Sequence, residues 1–166
     1  TMNRDKIRNL AANDLGIKTA KYTYVSSKKE IKKKIIDFTF PVIVKPIMSS
    51  SGKGQTLVKN ISEIEKAWDE AITQSRGKSH KIIVEEFIKF DSEITLLTIK
   101  QQNKPTIFCE PIGHEQTNGD YQSSWQPACL GIEQLNKAKS IAKQITDNLG
   151  GVGLFGVEFF IVGKEV

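Results

Sequence analysis

A lysine set inside an apolar β-type run constrains this chain more than any other feature. In "FPVIVKPIMSSSGKGQTLV", Phe40 to Val58, Lys45 follows Val42, Ile43 and Val44 and precedes Pro46. An ammonium in a strand core must find an anion or lose its charge. Pro46 biases Lys45 toward extended backbone, so the run reads as a strand. "QTLVKN" reads as a second strand, and the Ser/Gly segment joining the two makes a hairpin the simplest local structure. Any fold available to this chain is built around that hairpin.

The other elements follow from period and punctuation. Asn3 to Leu15 has Ile7, Leu10 and Ala11 at helical spacing and Gly16 as its stop. "KTAKYTYVSS" is a strand whose end offers Ser26 or Ser27 as an N-cap. The basic helix after it, "SSKKEIKKKIIDF", carries Ile31, Ile35 and Phe38 on one face and lysines on the other. Ser62 with Glu65 reads as a capping box for "EIEKAWDEAITQ". "HKIIVEEFI" is a strand, "SEITLLTIKQQNKPTIFCEPIG" a hairpin turned by "QNKP", and "TNGD" a turn within a loop. "GIEQLNKAKSIAKQITDNLGG" is a long helix before the strand "GLFGVEFFIV". Hairpins mixed with helices predict α+β packing in two layers rather than a doubly wound parallel sheet. A break between lobes falls near Glu85 to Ile88, and a cleft between lobes is a usual ligand site.

The net charge is +5, with 24 Lys and Arg residues. Much of the excess lies on the polar face of the basic helix, which reads as solvated surface. A basic nucleic-acid-binding module is the rival reading, but no interleaved aromatics or recognition-helix pattern supports it. No apolar run approaches the roughly 20 residues of a membrane span, and the polar N-terminus is not a secretory signal. Cys109 and Cys129 therefore read as free thiols in a reducing cytoplasm. The chain stops after the first residues of a return strand, which reads as a fragment of a longer protein.

Several residues carry candidate chemistry. "SSSGKGQ" is not a Walker A loop: Ile47 and Gly54 stand where that pattern needs Gly and Ser or Thr. It reads equally as a flexible hairpin loop or as a cradle of backbone N–H groups for an anion. Lys45 beside such a loop favours a phosphate role over an edge gatekeeper. In "SEITLL", alternation sets Glu93, Thr95 and Leu97 on one face and Ile94 and Leu96 on the other. Glu93 is either a ribose acceptor or a solvent-facing acid. Glu158, inside the apolar "GLFGVEFFIV", needs a cation; magnesium and a salt bridge are both open. His114 is placed in a loop. No Cys/His metal spacing or Ser-His-Asp arrangement stands out.

"TMNRDKIR", "PVIVKPIMSSSGKGQ", "VEEFIKFDSEITLLT", "PIGHEQTNGDYQSSWQP" and "GLFGVEFF", in this order, resemble the ATP-grasp domain of formate-dependent phosphoribosylglycinamide formyltransferases. The resemblance covers essentially the whole chain. It implies an α+β ATP-grasp fold fragment, truncated at its C-terminal side: two small lobes with a nucleotide cleft between them. By that likeness 1–17 is a linking helix, 18–84 the lid lobe and 85–166 the first part of the larger lobe. It implies ATP and Mg2+ as cofactors and formate and glycinamide ribonucleotide as substrates, with formyl phosphate as intermediate. It further implies a homodimeric full-length protein, with no nucleic-acid or membrane partner. Arg4 and Lys45 match phosphate-contacting, catalytic residues. Ser50, Ser51, Gly52, Lys53, Gly54 and Gln55 match the lid loop, and Glu85, Glu86, Phe87 and Ile88 the segment on adenine. Glu93 matches the acid on ribose and Glu158 one of two magnesium carboxylates. The second carboxylate, an Arg-Pro-His element and the N-terminal domain of that family are not in this sequence. The fragment alone is therefore expected to bind magnesium nucleotide weakly and turn over little. A related purine-pathway carboxylase or ligase of the same fold is the nearer alternative.

Overall fold

The computed structural model of the chain describes residues 4–49, 53–76, 80–117 and 120–166. The chain divides into two compact units, Thr1–Ala12 with Lys18–Ile88, and Asn13–Ile17 with Lys89–Val166. The expected boundaries at residues 17 and 84 move accordingly. The first helix is counted with the first unit. The strand through Glu85 stays there too, because it is hydrogen-bonded on both sides.

The N-terminal segment is an α-helix, α1 (Arg4–Asn9), and changes to π-helical pitch over Leu10–Asp14. Gly16, at φ +62°, ends it, as its lack of a Cβ permits. The first unit then contains β1 (Tyr22–Val25), α2 (Lys28–Lys34), β2 (Val42–Pro46), β3 (Thr56–Val58), α3 (Ile64–Thr73) and β4 (Ile82–Glu86). Its sheet has the order β1-β4-β2-β3, every pair antiparallel. The Ser/Gly segment does join a hairpin, with Val42 opposite Val58.

Ser27 caps α2, accepting from the Glu30 amide at 3.1 Å. Ile31 of α2 and Ile35, which opens the 3-10 turn after it, are fully buried. They meet Val42, Val44, Val58, Ile82 and Val84 from the sheet and Ala67, Trp68 and Ala71 from α3. The lysine face of α2 is solvated, and three of its lysines are paired. Lys28 meets Asp69 at 2.7 Å, Lys34 meets Glu30 at 2.8 Å, and Lys32 pairs with Glu65. One expected cap is different. Asn60, not Ser62, caps this region: its side chain accepts from the Ser62 amide at 3.1 Å and opens a 3-10 turn ahead of α3. A short Asx side chain two residues upstream reaches that amide first, and Glu65 is taken by Lys32.

The second unit contains β5 (Ser92–Lys100), β6 (Ile107–Phe108), β7 (Ile112–Thr117), β8 (Asp120–Trp125), α4 (Ile132–Asn148) and β9 (Gly153–Ile161). β5 is central: β6 and β7 pair along one edge and β9 runs antiparallel along the other. Inward residues Ile94 and Leu96 of β5 and Phe159 and Ile161 of β9 pack on Ala138 and Ala142 of α4. The small helix residues let α4 approach the sheet closely. Lys100 donates to the Thr146 and Asp147 carbonyls near the end of α4, each at 3.1 Å, where a cation complements the helix dipole.

The loop expected around His114 is a hairpin instead. β7 and β8 pair from Gly113 opposite Trp125 to Thr117 opposite Asp120. A Cβ on Gly113 would stand 2.4 Å from the indole carbon Cε2 of Trp125. The hairpin thus needs glycine at that position to seat its ring. No described helix is long and apolar enough to cross a membrane.

Candidate functional site

Lys45 lies on the sheet face of the first unit that α2 and α3 do not cover. Val42, Val44 and Pro46 point to the core; Ile43 and Lys45 point the other way. Register places Ile43 opposite Glu85 and Lys45 opposite Ile83, and Glu85 in turn opposite Tyr22 of β1. α1 meets this face through long side chains. Its Arg8 pairs with Glu85 Oε1 and lies 5.5 Å over the Tyr22 ring, and its Asp5 pairs with Lys81.

The anion that a strand lysine requires is therefore Glu85. Lys45 Nζ donates to Glu85 Oε2 at 2.6 Å. Glu85 is only 4% exposed. Burial alone would push its carboxyl up. Lys45 and Arg8 together outweigh burial and hold it below the ordinary carboxylate value. Two cations share one carboxylate, so the group keeps a unit of positive charge. The Lys45 side chain retains 19% of its surface, and an ammonium has three donors. The residue is paired and still reachable.

Around it stand the other expected phosphate residues. Arg4 Nη1 donates to the Pro46 carbonyl at 3.0 Å and to Ser49 Oγ at 3.1 Å. It thereby pins the end of β2 where the Ser/Gly loop departs. The Arg76 amide donates to the Met48 carbonyl at 2.8 Å from the other side. Ser50, Ser51 and Gly52 lie outside the described residues. Lys53 and Gln55 are exposed. Gly54, at φ +71°, has no room for a Cβ, which would stand 2.8 Å from both Pro46 and Gln74. The exit of the loop is fixed by its backbone as the entrance is by Arg4.

The adenine segment is less uniform than expected. The Glu85 side chain belongs to the ion network. The Glu86 and Phe87 amides already donate, to the Lys21 carbonyl at 2.9 Å and the Pro41 carbonyl at 3.3 Å. Among the described residues the Ile88 amide has no such partner.

The second unit presents an open sheet face. Glu93, Thr95 and Leu97 point outward, as their alternation predicts, while Ile94 and Leu96 are buried. Gln116 Nε2 donates to Glu93 Oε2 at 2.9 Å. Glu158 stands directly opposite Thr95 in the ladder. Its expected need for a partner does not arise. β9 alternates rather than burying both faces, and Glu158 is exposed, with no hydrogen bond or ion pair among the described residues. Among those residues no three His, Cys, Asp or Glu groups could together enclose a metal ion. Glu158, exposed and unpaired among the described residues, would offer one carboxylate to a magnesium ion.

Two groups stand differently from the expectation: His114 is on a strand rather than in a loop, and Arg8 joins the ion network. His114 Nε2 meets Thr95 Oγ1 at 2.6 Å and its Nδ1 meets the Tyr121 hydroxyl at 2.9 Å, a polar chain across the open face beside Glu158. Arg8 was not singled out, although its spacing four residues after Arg4 puts the two on one helix face.

The model of the ATP-grasp domain family matches residues 10–166. A curated formate-dependent phosphoribosylglycinamide formyltransferase of Prochlorococcus marinus (strain NATL1A) is 64% identical over all 166 residues. The chain spans 43% of that relative's length. The solved glycinamide-RNase-transformylase T of Mycobacterium tuberculosis superposes with a TM-score of 0.74 at 31% identity, over 98% of this chain and 42% of that one. The N5-carboxyaminoimidazole ribonucleotide synthetase of Thermus thermophilus, at 23% identity, shares the fold, with a TM-score of 0.83 over 99% of this chain and 42% of that one. The chain belongs to the ATP-grasp family.

Proposed function

We propose that this chain is the ATP-binding portion of a formate-dependent phosphoribosylglycinamide formyltransferase. One observation carries the reading: identity to the Prochlorococcus protein of that name runs through the entire chain at 64%. The whole protein would join formate to the amine of glycinamide ribonucleotide at the expense of ATP. Formate is a poor acyl donor until one oxygen becomes a phosphate leaving group. The γ-phosphoryl group passes from ADP oxygen to a formate oxygen, giving formyl phosphate. The amine nitrogen then attacks the formyl carbon, the C–O bond to phosphate breaks, and the nitrogen sheds its proton.

Such a transfer asks the protein mainly for positioning, charge and exclusion of water. Lys45, fixed by Glu85 and still exposing N–H donors, supplies a cation for the phosphates. Arg4 supplies a second and anchors the loop at 50–55, whose small residues would close over them. The Ile88 amide offers a donor to adenine and Glu93, steadied by Gln116, an acceptor to ribose hydroxyls. Glu158 would hold magnesium, which neutralises phosphate charge. These assignments rest on the match of motifs and on the orientation of each side chain within its own unit. The reading extends to a cytoplasmic, homodimeric full-length protein on the likeness alone.

The test is ADP formation by the full-length protein with formate and glycinamide ribonucleotide, or with bicarbonate and an aminoimidazole ribonucleotide. Turnover should need formate. Turnover with bicarbonate on an aminoimidazole ribonucleotide would move the chain to the carboxylase relatives.

A further inference from the structure

Arg8 ends the motif "TMNRDKIR" but carries no assigned role and has no part in the proposed chemistry, yet it holds the residue that holds Lys45. Its guanidinium crosses from α1 to Glu85 Oε1, while Lys45 occupies Oε2 at 2.6 Å. We infer that Arg8 is a positioning residue: by gripping the far oxygen of Glu85 it fixes that carboxylate, and through it the Lys45 ammonium, where a nucleotide's phosphates are met. The inference rests on the reading of Lys45 as a phosphate ligand given above.

Two physical effects follow from the arrangement. A carboxylate held at one oxygen can swing about its stem; one held at both, from a helix and from a neighbouring strand, cannot. The long lysine stem is thereby ordered before any ligand arrives, which lowers the entropy lost on binding. A carboxylate serving Lys45 alone would also cancel its charge. Shared with Arg8, it leaves positive charge to attract an anion. The groups facing Glu85 are Lys45 from β2, Arg8 from α1 and Tyr22 from β1, with Tyr24 and the Asp5–Lys81 pair beyond them. Burial pushes the Glu85 carboxyl up and the two cations hold it down. Loss of Arg8 lets burial gain, so Glu85 protonates at a higher pH and releases Lys45 as pH falls.

The experiment is a magnesium-ATP titration of the full-length protein near pH 8 and near pH 6, with unfolding midpoints measured alongside. Arg8→Gln should bind about tenfold more weakly than wild type, the size expected when a charge-assisted hydrogen bond is lost. Arg8→Lys should recover most of the affinity. A lowered midpoint with affinity within about twofold of wild type at both pH values would mean that Arg8 serves folding only, and overturns the inference. Should Arg8→Gln not fold, the Arg8→Gln, Glu85→Gln pair replaces it. The same loss is expected, and unchanged affinity overturns the inference. Lys45→Ala, run in parallel, separates the two readings. Unchanged affinity there removes Lys45 from the phosphates, whereas a loss there with Arg8→Gln unaffected removes only the role of Arg8.

Discussion

The two sheets of this chain each carry a charged residue inside an apolar strand, and they resolve it in opposite ways. In the first unit, β4 is buried on both faces, with α2 and α3 on one side and α1 meeting the other. Lys45 on the neighbouring strand has little water around it and is tied to Glu85 within the protein. In the second unit α4 covers one face and the other is open, so Glu158 faces solvent with no protein partner among the described residues. The lesson is that an ion in an apolar run carries no fixed meaning. What covers the strand decides whether the charge must be satisfied internally or stays available.

Removing Glu85 tests this contrast with the largest effect. Glu85→Ala leaves Lys45 and Arg8 facing each other in a buried setting. It should cost about 3 kcal/mol in urea unfolding, the low end for a broken buried pair, since both cations keep some exposure. A loss no greater than that of a surface substitution would erase the distinction between the sheets.

Acid titrates the same contact more gently. The Glu85 carboxyl is depressed in the folded chain, so its contribution is complete above the ordinary value of 4.5 and disappears as pH falls through the lower folded value. Stability should therefore drop below about pH 4.5 in wild type and drop less in Glu85→Gln, as read by unfolding midpoints across pH.

Nucleotide affinity sharpens the comparison next. Lys45→Ala should weaken magnesium-ATP binding by the full-length protein about tenfold or more. Lys32→Ala, on the solvated face of α2 beside Glu65, should leave affinity unchanged. Equal effects would remove Lys45 from the phosphates. The smallest expected change is in the stability of Glu158→Gln. An exposed, unpaired side chain should move the unfolding free energy by no more than about 0.5 kcal/mol, while the magnesium dependence of nucleotide binding shifts. A large stability loss would show that the open face is not as open as its exposure indicates.

Much of the fold was legible from local chemistry. Gly16 ended the first helix because a residue without Cβ accepts φ near +60°. Ser27 capped α2, Ile31 and Ile35 faced the core, and alternation sorted Glu93 from Ile94. The misses have local reasons too. β7 and β8 are polar along much of their length and mostly exposed, so no apolar period announced them. Asn60 outcompeted Ser62 as a cap through an Asx contact that sequence spacing leaves ambiguous. Within the candidate site, Lys45 and Glu93 stood out by type and context and Arg4 by the resemblance, whereas Arg8 and the pairing of Glu85 with Lys45 did not.

Which residues would be costly to place is already written in the order of residues: an ammonium and a carboxylate in apolar strands, and a loop with little to bury. The sequence also carried the motif order that marks the family. How each cost is met depends on long-range packing, because Lys45 and Glu85 are 40 residues apart along the chain. They meet through the register of β2 against β4, and Arg8 joins them from a helix. Register and face coverage are set by the packing of whole elements, and no short window of sequence contains them.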